Sequence, residues 1–134
     1  MKFSHTSLFV KDVLQAVAFY EKVFGMKKRF IHESGQFAEM QLGEAVLHFA
    51  ASAAVKANLH QGFQENNLSN KPAGIECCFE TDDVATAFSE AVEAGATAYA
   101  EPKIRPWGQT VAYVRDLDGI LIEIGNSCMV NDLQ

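Results

Sequence analysis

The sequence predicts an α+β fold built from two βαβββ modules, and three observations predict it. One order of patterned segments, a strand, a helix and then three strands, occurs twice within 134 residues. Laying Asp12-Val13 over Asp83-Val84 brings Ala16 onto Ala87 and His5 onto Glu76, and laying segment 43–49 over 118–124 brings His48 onto Glu123. The chain is also long enough, at 49% hydrophobic residues, to bury about two thirds of its unfolded surface around a core. Each repeat alone leaves one sheet face uncovered, so the two must share a core or a cleft.

The elements follow in order. Residues 2–10 alternate, with Thr6, Leu8 and Val10 on one face and Phe3, His5, Ser7 and Phe9 on the other, as a strand does. Asp12 suits an N-cap, and Val13, Ala16, Val17, Tyr20, Val23 and Phe24 recur at helical spacing until Gly25 stops the helix. Three strands are expected at 28–32, 37–42 and 45–50, joined by turns at Ser34-Gly35 and Gly43-Glu44. The pattern then lapses. Residues 52–72 read as a linker or surface lid with one helical turn near 55–59. The second module opens with a strand at 75–81, and Asp83 caps a helix carrying Val84, Ala87, Phe88, Ala91 and Val92 that stops at Gly95. Strands at 97–101, 109–115 and 120–125 complete it, the last two joined by the turn 116–119. The expected organisation is one domain over 1–134: module 1 at about 1–51, the linker, module 2 at about 73–128 and a tail at 129–134.

Composition narrows the function. Eleven Lys+Arg against 17 Asp+Glu give a net charge of −6, which would repel a nucleic-acid backbone. No stretch approaches the roughly 20 apolar residues of a membrane span, and Met-Lys-Phe-Ser-His lacks the design of a signal peptide. A cytoplasmic protein is expected. Cys77, Cys78 and Cys128 are odd in number, and the adjacent pair points to opposite faces of a strand, so reduced, structural thiols are expected.

Each repeat places a metal-competent side chain in its first strand and another in its last: His5 and His48, then Glu76 and Glu123. Glu123 between Ile122 and Ile124, and His48 between Leu47 and Phe49, face away from their apolar neighbours and need partners. Two imidazoles and two carboxylates suit a divalent ion such as Zn, Ni, Fe or Mn. Two carboxylates also neutralise that ion, which then polarises substrate oxygens more than it generates hydroxide. A carboxylate loosened from it becomes a base, which points to proton abstraction alpha to a carbonyl, with Glu123 or Glu76 as base.

The chain resembles the vicinal oxygen chelate superfamily, which includes glyoxalase I, fosfomycin-resistance proteins, extradiol dioxygenases and bleomycin-resistance proteins. The resemblance covers nearly the whole chain and is carried by the opening His-Thr-Ser-Leu-Phe-Val-Lys-Asp (5–12), by Ala-Phe-Tyr-Glu-Lys-Val-Phe-Gly-Met (18–26), and by Val-Arg-Asp-Leu-Asp-Gly (114–119) with Ile122-Glu123. It implies an incomplete, cup-shaped barrel with helices outside, and metal positions at His5, His48, Glu76 and Glu123. It also implies departures. Glyoxalase I usually runs Glu then His at its second and third ligands, where this chain has His48 then Glu76, and it tends to carry a glutathione-binding Arg where this chain has Phe9. Phe9, Trp107 and Arg105 are then candidate substrate contacts.

The leading expectation is a metal-dependent, glyoxalase-like lyase or isomerase acting on a small oxygenated metabolite. Two alternatives stay open: a metal-free drug-binding protein of the bleomycin-resistance type, which the −6 charge would suit for a cationic ligand, and an Fe(II) dioxygenase using His5, His48 and one carboxylate. Plain structural roles also exist for these residues. His5 can be a strand histidine bonded to a carbonyl, Glu76 a solvated edge residue, Trp107 a loop anchor, and Tyr113 and Arg115 parts of an outer face beside Val111. A homodimer with shared sites is expected, because the linker could reach roughly 70 Å when extended and Ala87, Ala91 and Ala94 offer a small-residue helix face for close approach of modules.

Overall fold

The computed structural model describes residues 1–127, so Cys128 and the tail at 129–134 lie outside the described residues. The chain divides into two compact units, Met1–Asn66 and Asn67–Gln134, with the boundary inside the segment read as a linker. The fold is α+β, with three helices and two open four-stranded sheets.

The first unit runs β1 (Thr6–Val10), α1 (Val13–Phe24), β2 (Lys27–Ile31), β3 (Phe37–Leu42), β4 (Ala45–Ala51) and α2 (Ser52–Asn58). Its sheet has the order β1-β4-β3-β2, with β1 parallel to β4 and the other pairs antiparallel. Asp12 caps α1 by accepting from the Gln15 N–H at 3.1 Å. At the other end Gly25 adopts φ 70°, and the Gly25 and Met26 N–H groups donate to Glu21 and Tyr20 carbonyls at 3.2 and 3.3 Å, which closes the helix. Val13, Ala16, Val17, Phe19 and Tyr20 bury against the sheet, where Leu8, Val10, Ala38, Met40 and Phe49 form the opposing layer. Tyr20 meets Phe49 edge-on, with ring centroids 4.9 Å apart. Phe49 is fully buried and contributes on the order of 2–3 kcal/mol.

The second unit runs β5 (Glu76–Glu80), α3 (Val84–Glu93), β6 (Thr97–Ile104), β7 (Thr110–Arg115) and β8 (Leu121–Gly125), with sheet order β5-β8-β7-β6 and β5 parallel to β8. Asp83 caps α3 through the Thr86 N–H and hydroxyl, at 3.1 and 2.7 Å, and these bonds hold its carboxyl below the usual carboxylate range. The helix lies over β6, β7 and β8, and Ala112, Val114, Ile122 and Ile124 are buried beneath it. Ala91 is fully buried on α3.

Several elements differ from the periodicity, and β1 begins only at Thr6 where a strand over 2–10 is expected, so His5 lies just ahead of it. α2 spans Ser52–Asn58, where a single turn near 55–59 was expected, because the alanine-rich segment starts its helix at the buried Ser52 directly after β4. β6 continues to Ile104 through two irregularities, which set Tyr99 and then Glu101 and Pro102 outside the regular pairing with β7. A proline lacks the N–H a ladder needs, so it fits a strand only at such a place or on an edge. β2 has one bulge, at Arg29.

The chain ahead of β5 is held from within its own unit. Arg115 is 7% exposed, and its guanidinium donates to the carbonyls of Gly119, Asn67, Asn70 and Leu68 at 2.9, 3.1, 2.8 and 3.4 Å. It is therefore a buried strut and not part of an outer face. Gly119 has φ 88°, and a Cβ there would stand 2.7 Å from the Arg115 guanidinium and 2.9 Å from the Asn67 backbone. Asp116 shapes the turn by accepting from the Asp118 and Ile120 N–H groups, both at 2.9 Å. Among the described residues no helix is long and apolar enough to cross a membrane.

Candidate functional site

The two sheets pair in the same register. Ser7 stands opposite His48 and Glu39 opposite His48 in the first; Cys78 stands opposite Glu123 and Tyr113 opposite Glu123 in the second. Strand alternation then puts His48 and Glu123 on the face away from the buried layers of Phe49 and of Ile122 and Ile124. One small network results in each unit.

In the first unit His5 precedes β1 and its ring stacks on His48, with centroids 3.6 Å apart and planes 16° from parallel. His48 Nε2 lies 2.8 Å from Glu39 Oε1, and Glu39 also faces Arg29 at 3.7 Å. The Ser4 hydroxyl lies 2.7 Å from His5 Nδ1. A carboxylate on one ring nitrogen orients the imidazole and leaves the other nitrogen as the ligand. Phe9, two residues along from Ser7, is half-buried and meets Phe63 edge-on at 4.9 Å.

In the second unit Glu76, Cys78 and Glu123 present ligand atoms that all lie within 4.8 Å of one another. The Tyr113 hydroxyl donates to Glu123 Oε2 at 3.1 Å, and the Cys78 thiol donates to Glu76 Oε1 at 3.3 Å. Burial raises the Glu123 carboxyl above its usual range, and the Glu76 charge and a hydrogen bond shared with Glu76 raise it further; Tyr113 and the positive Arg105 oppose this. Tyr113 is raised by lost hydration, then by Glu123. Lost hydration also lifts Cys77 to about 11, helped by Asp116, and Cys78 to about 12, helped by its bond to Glu76. Arg105 closes the β6–β7 turn, accepting from the Gly108 N–H at 2.9 Å. Trp107, in that turn, is 58% exposed and donates to Gln109 at 2.9 Å, so it does not anchor the loop in a core.

The structure thus brings His5 to His48 and Glu76 to Glu123. It adds Glu39, which the sequence did not single out, and Tyr113 and Cys78, which it offered only as an outer-face residue and a structural thiol. Tyr113 belongs to the network and not to an outer face. The repeat itself held the signal for the first two, since Glu39 and Tyr113 occupy matching positions opposite His48 and Glu123.

Residues 2–124 match the Glyoxalase/Bleomycin resistance protein/Dioxygenase superfamily, and the chain belongs to that family. It is 28% identical to glyoxalase I of Saccharomyces cerevisiae over 92% of this chain and 42% of that protein. It is 23% identical to 4-hydroxyphenylpyruvate dioxygenase of Pyricularia oryzae over 75% of this chain and 29% of that protein. The chain therefore spans less than half the length of either. A glyoxalase-related enzyme from Fulvimarina pelagi shares the fold, with TM-score 0.78 and 19% identity over 95% of this chain and 89% of that one.

Proposed function

We propose that this protein is a metal-dependent, glyoxalase-like lyase or isomerase acting on a small oxygenated metabolite by proton abstraction. The observation that carries the reading is the repeated network: a side chain at the start of the module meets one of its last strand in both units, as His5, just ahead of β1, with His48 and as Glu76 with Glu123, each last-strand residue braced by a partner on the strand before it. His5, His48, Glu76 and Glu123 are the proposed ligand set, and the approach of Glu76, Cys78 and Glu123 ligand atoms to within 4.8 Å of one another supports it. Such an ion, Zn, Ni, Fe or Mn, supplies Lewis acidity toward substrate oxygens when bound.

The chain's own residues handle the proton. Glu123 is the preferred base: burial favours its protonated form, so it keeps an abstracted proton better than an ordinary surface carboxylate. Tyr113 orients the carboxylate by donating to Oε2. Glu76 is the alternative base. Arg105 supplies positive charge beside Glu123 and, with Phe9 and Trp107, is assigned to substrate contact. Elemental analysis of protein purified without a His-tag tests the reading. A stoichiometric ion is expected; none after metal supplementation overturns it and favours the second reading, a metal-free binding protein for cationic ligands, which the exposed Glu76 and the −6 charge support.

Substrate class follows from Phe9. Glutathione hemithioacetals are expected to be poor substrates, because Phe9 offers an aromatic edge packed on Phe63 in place of a charged donor to a carboxylate. Loss of such a contact costs about 2 kcal/mol, roughly thirtyfold in the specificity constant. An assay with methylglyoxal and glutathione that returns the efficiency of a dedicated glyoxalase refutes this.

A further inference from the structure

The repeat accounts for the pairing of His5 with His48 and of Glu76 with Glu123, but not for the thiol beside the second pair. The residue opposite His48 is Ser7, and the residue opposite Glu123 is Cys78. A hard hydroxyl in one unit is thus a soft sulfur in the other, at the same place in the sheet. Cys78 is exposed on the face of Glu76 and Glu123, whereas Cys77 points to the other face and is half-buried. The Cys78 sulfur is the direct cross-strand neighbour of Glu123 and already touches Glu76 at 3.3 Å.

We propose that Cys78 is a sulfur ligand of the metal centre, binding the same ion as Glu76 and Glu123. This rests on the metal reading above and deepens it. Donor atoms on one such ion stand roughly 3–4 Å apart. The three atoms here lie within 4.8 Å of one another, so rotation of exposed and half-buried side chains closes the gap with the strands left in place. The thiol proton is released to solvent as the sulfur–metal bond forms. A thiolate among carboxylates shifts preference away from Mg and Mn and toward Zn or Co.

Cobalt(II) titrated into the whole, metal-stripped protein reads the sulfur directly, because a cobalt–thiolate bond gives a charge-transfer band in the near ultraviolet that carboxylates and imidazoles do not. The expected result is stoichiometric binding with that band. It persists in a Cys77→Ser, Cys128→Ser double variant and disappears in Cys78→Ser and Cys78→Ala, whose Zn affinity falls about tenfold or more. Stoichiometric cobalt without the band, or a band that survives Cys78→Ser, overturns the role of Cys78 and leaves the metal reading standing. If the unaltered protein binds no cobalt and no zinc, the metal reading itself fails and this inference falls with it.

Discussion

Replacing Arg115 with alanine is expected to lower stability by about 3 kcal/mol and the Tm by about 10 °C. The side chain is 7% exposed and donates to four backbone carbonyls, three of which belong to Asn67, Leu68 and Asn70. Alanine removes the donor from all four carbonyls and leaves a gap where the buried guanidinium stood, and the segment ahead of β5 loses its attachment to the end of β7. Lysine, with one flexible ammonium, cannot span four acceptors and recovers only part of the loss. Thermal unfolding followed by circular dichroism reads both variants. A shift under about 2 °C for alanine would show that the strut is dispensable.

The second large effect concerns the ion. His5→Ala and Glu123→Gln are each expected to lower metal occupancy at least tenfold, about 1.4 kcal/mol in binding. His5 is exposed, and its ring meets the Ser4 hydroxyl and the half-buried His48, so its loss acts on ligation more than on the core. Glutamine keeps the shape of Glu123 and the acceptor for Tyr113 but removes the charge. Unchanged metal content in both variants sinks the ligand assignment. The same two variants test assembly. If the protein is a homodimer whose sites draw His5 and His48 from one copy and Glu76 and Glu123 from the other, mixing them regenerates one intact site per heterodimer. Demonstrated subunit exchange with no recovery of metal or activity assigns each site to a single chain.

Local chemistry explains why much of this was legible in the sequence. Asp12 and Asp83 cap their helices through bonds to residues three positions on, and Gly25 ends α1 with φ 70°, all short-range effects that a reader of neighbours can anticipate. The two alignments of the repeat matched His5 to Glu76 and His48 to Glu123, and the sheet pairings of Ser7 with His48 and Cys78 with Glu123 are the same in both units. What escaped depends on distance along the chain. Arg115 reads as one more alternating strand residue until residues 67–70 fold over it. Glu39 and Tyr113 acquire partners only once the turns after β3 and β7 fix the antiparallel register. The continuation of β6 was hidden because each irregularity shifts the phase of the alternation, and Pro102 reads as a strand stop.

The bulges bear on how the protein behaves when crowded. β2 and β6 end their sheets, and a free sheet edge is a template on which another chain can add a strand. At β2 the edge carries Lys27, Lys28 and a bulge at Arg29; at β6 it carries two interruptions, Pro102 and Lys103. A strand docking at either edge would meet missing donors, a broken hydrogen-bond ladder and buried like charge when the newcomer is a second copy. Edge-to-edge polymerisation is blocked at both of these positions by backbone geometry as well as by charge, so the devices that complicate the strand pattern also guard the folded protein against growing into fibres through them.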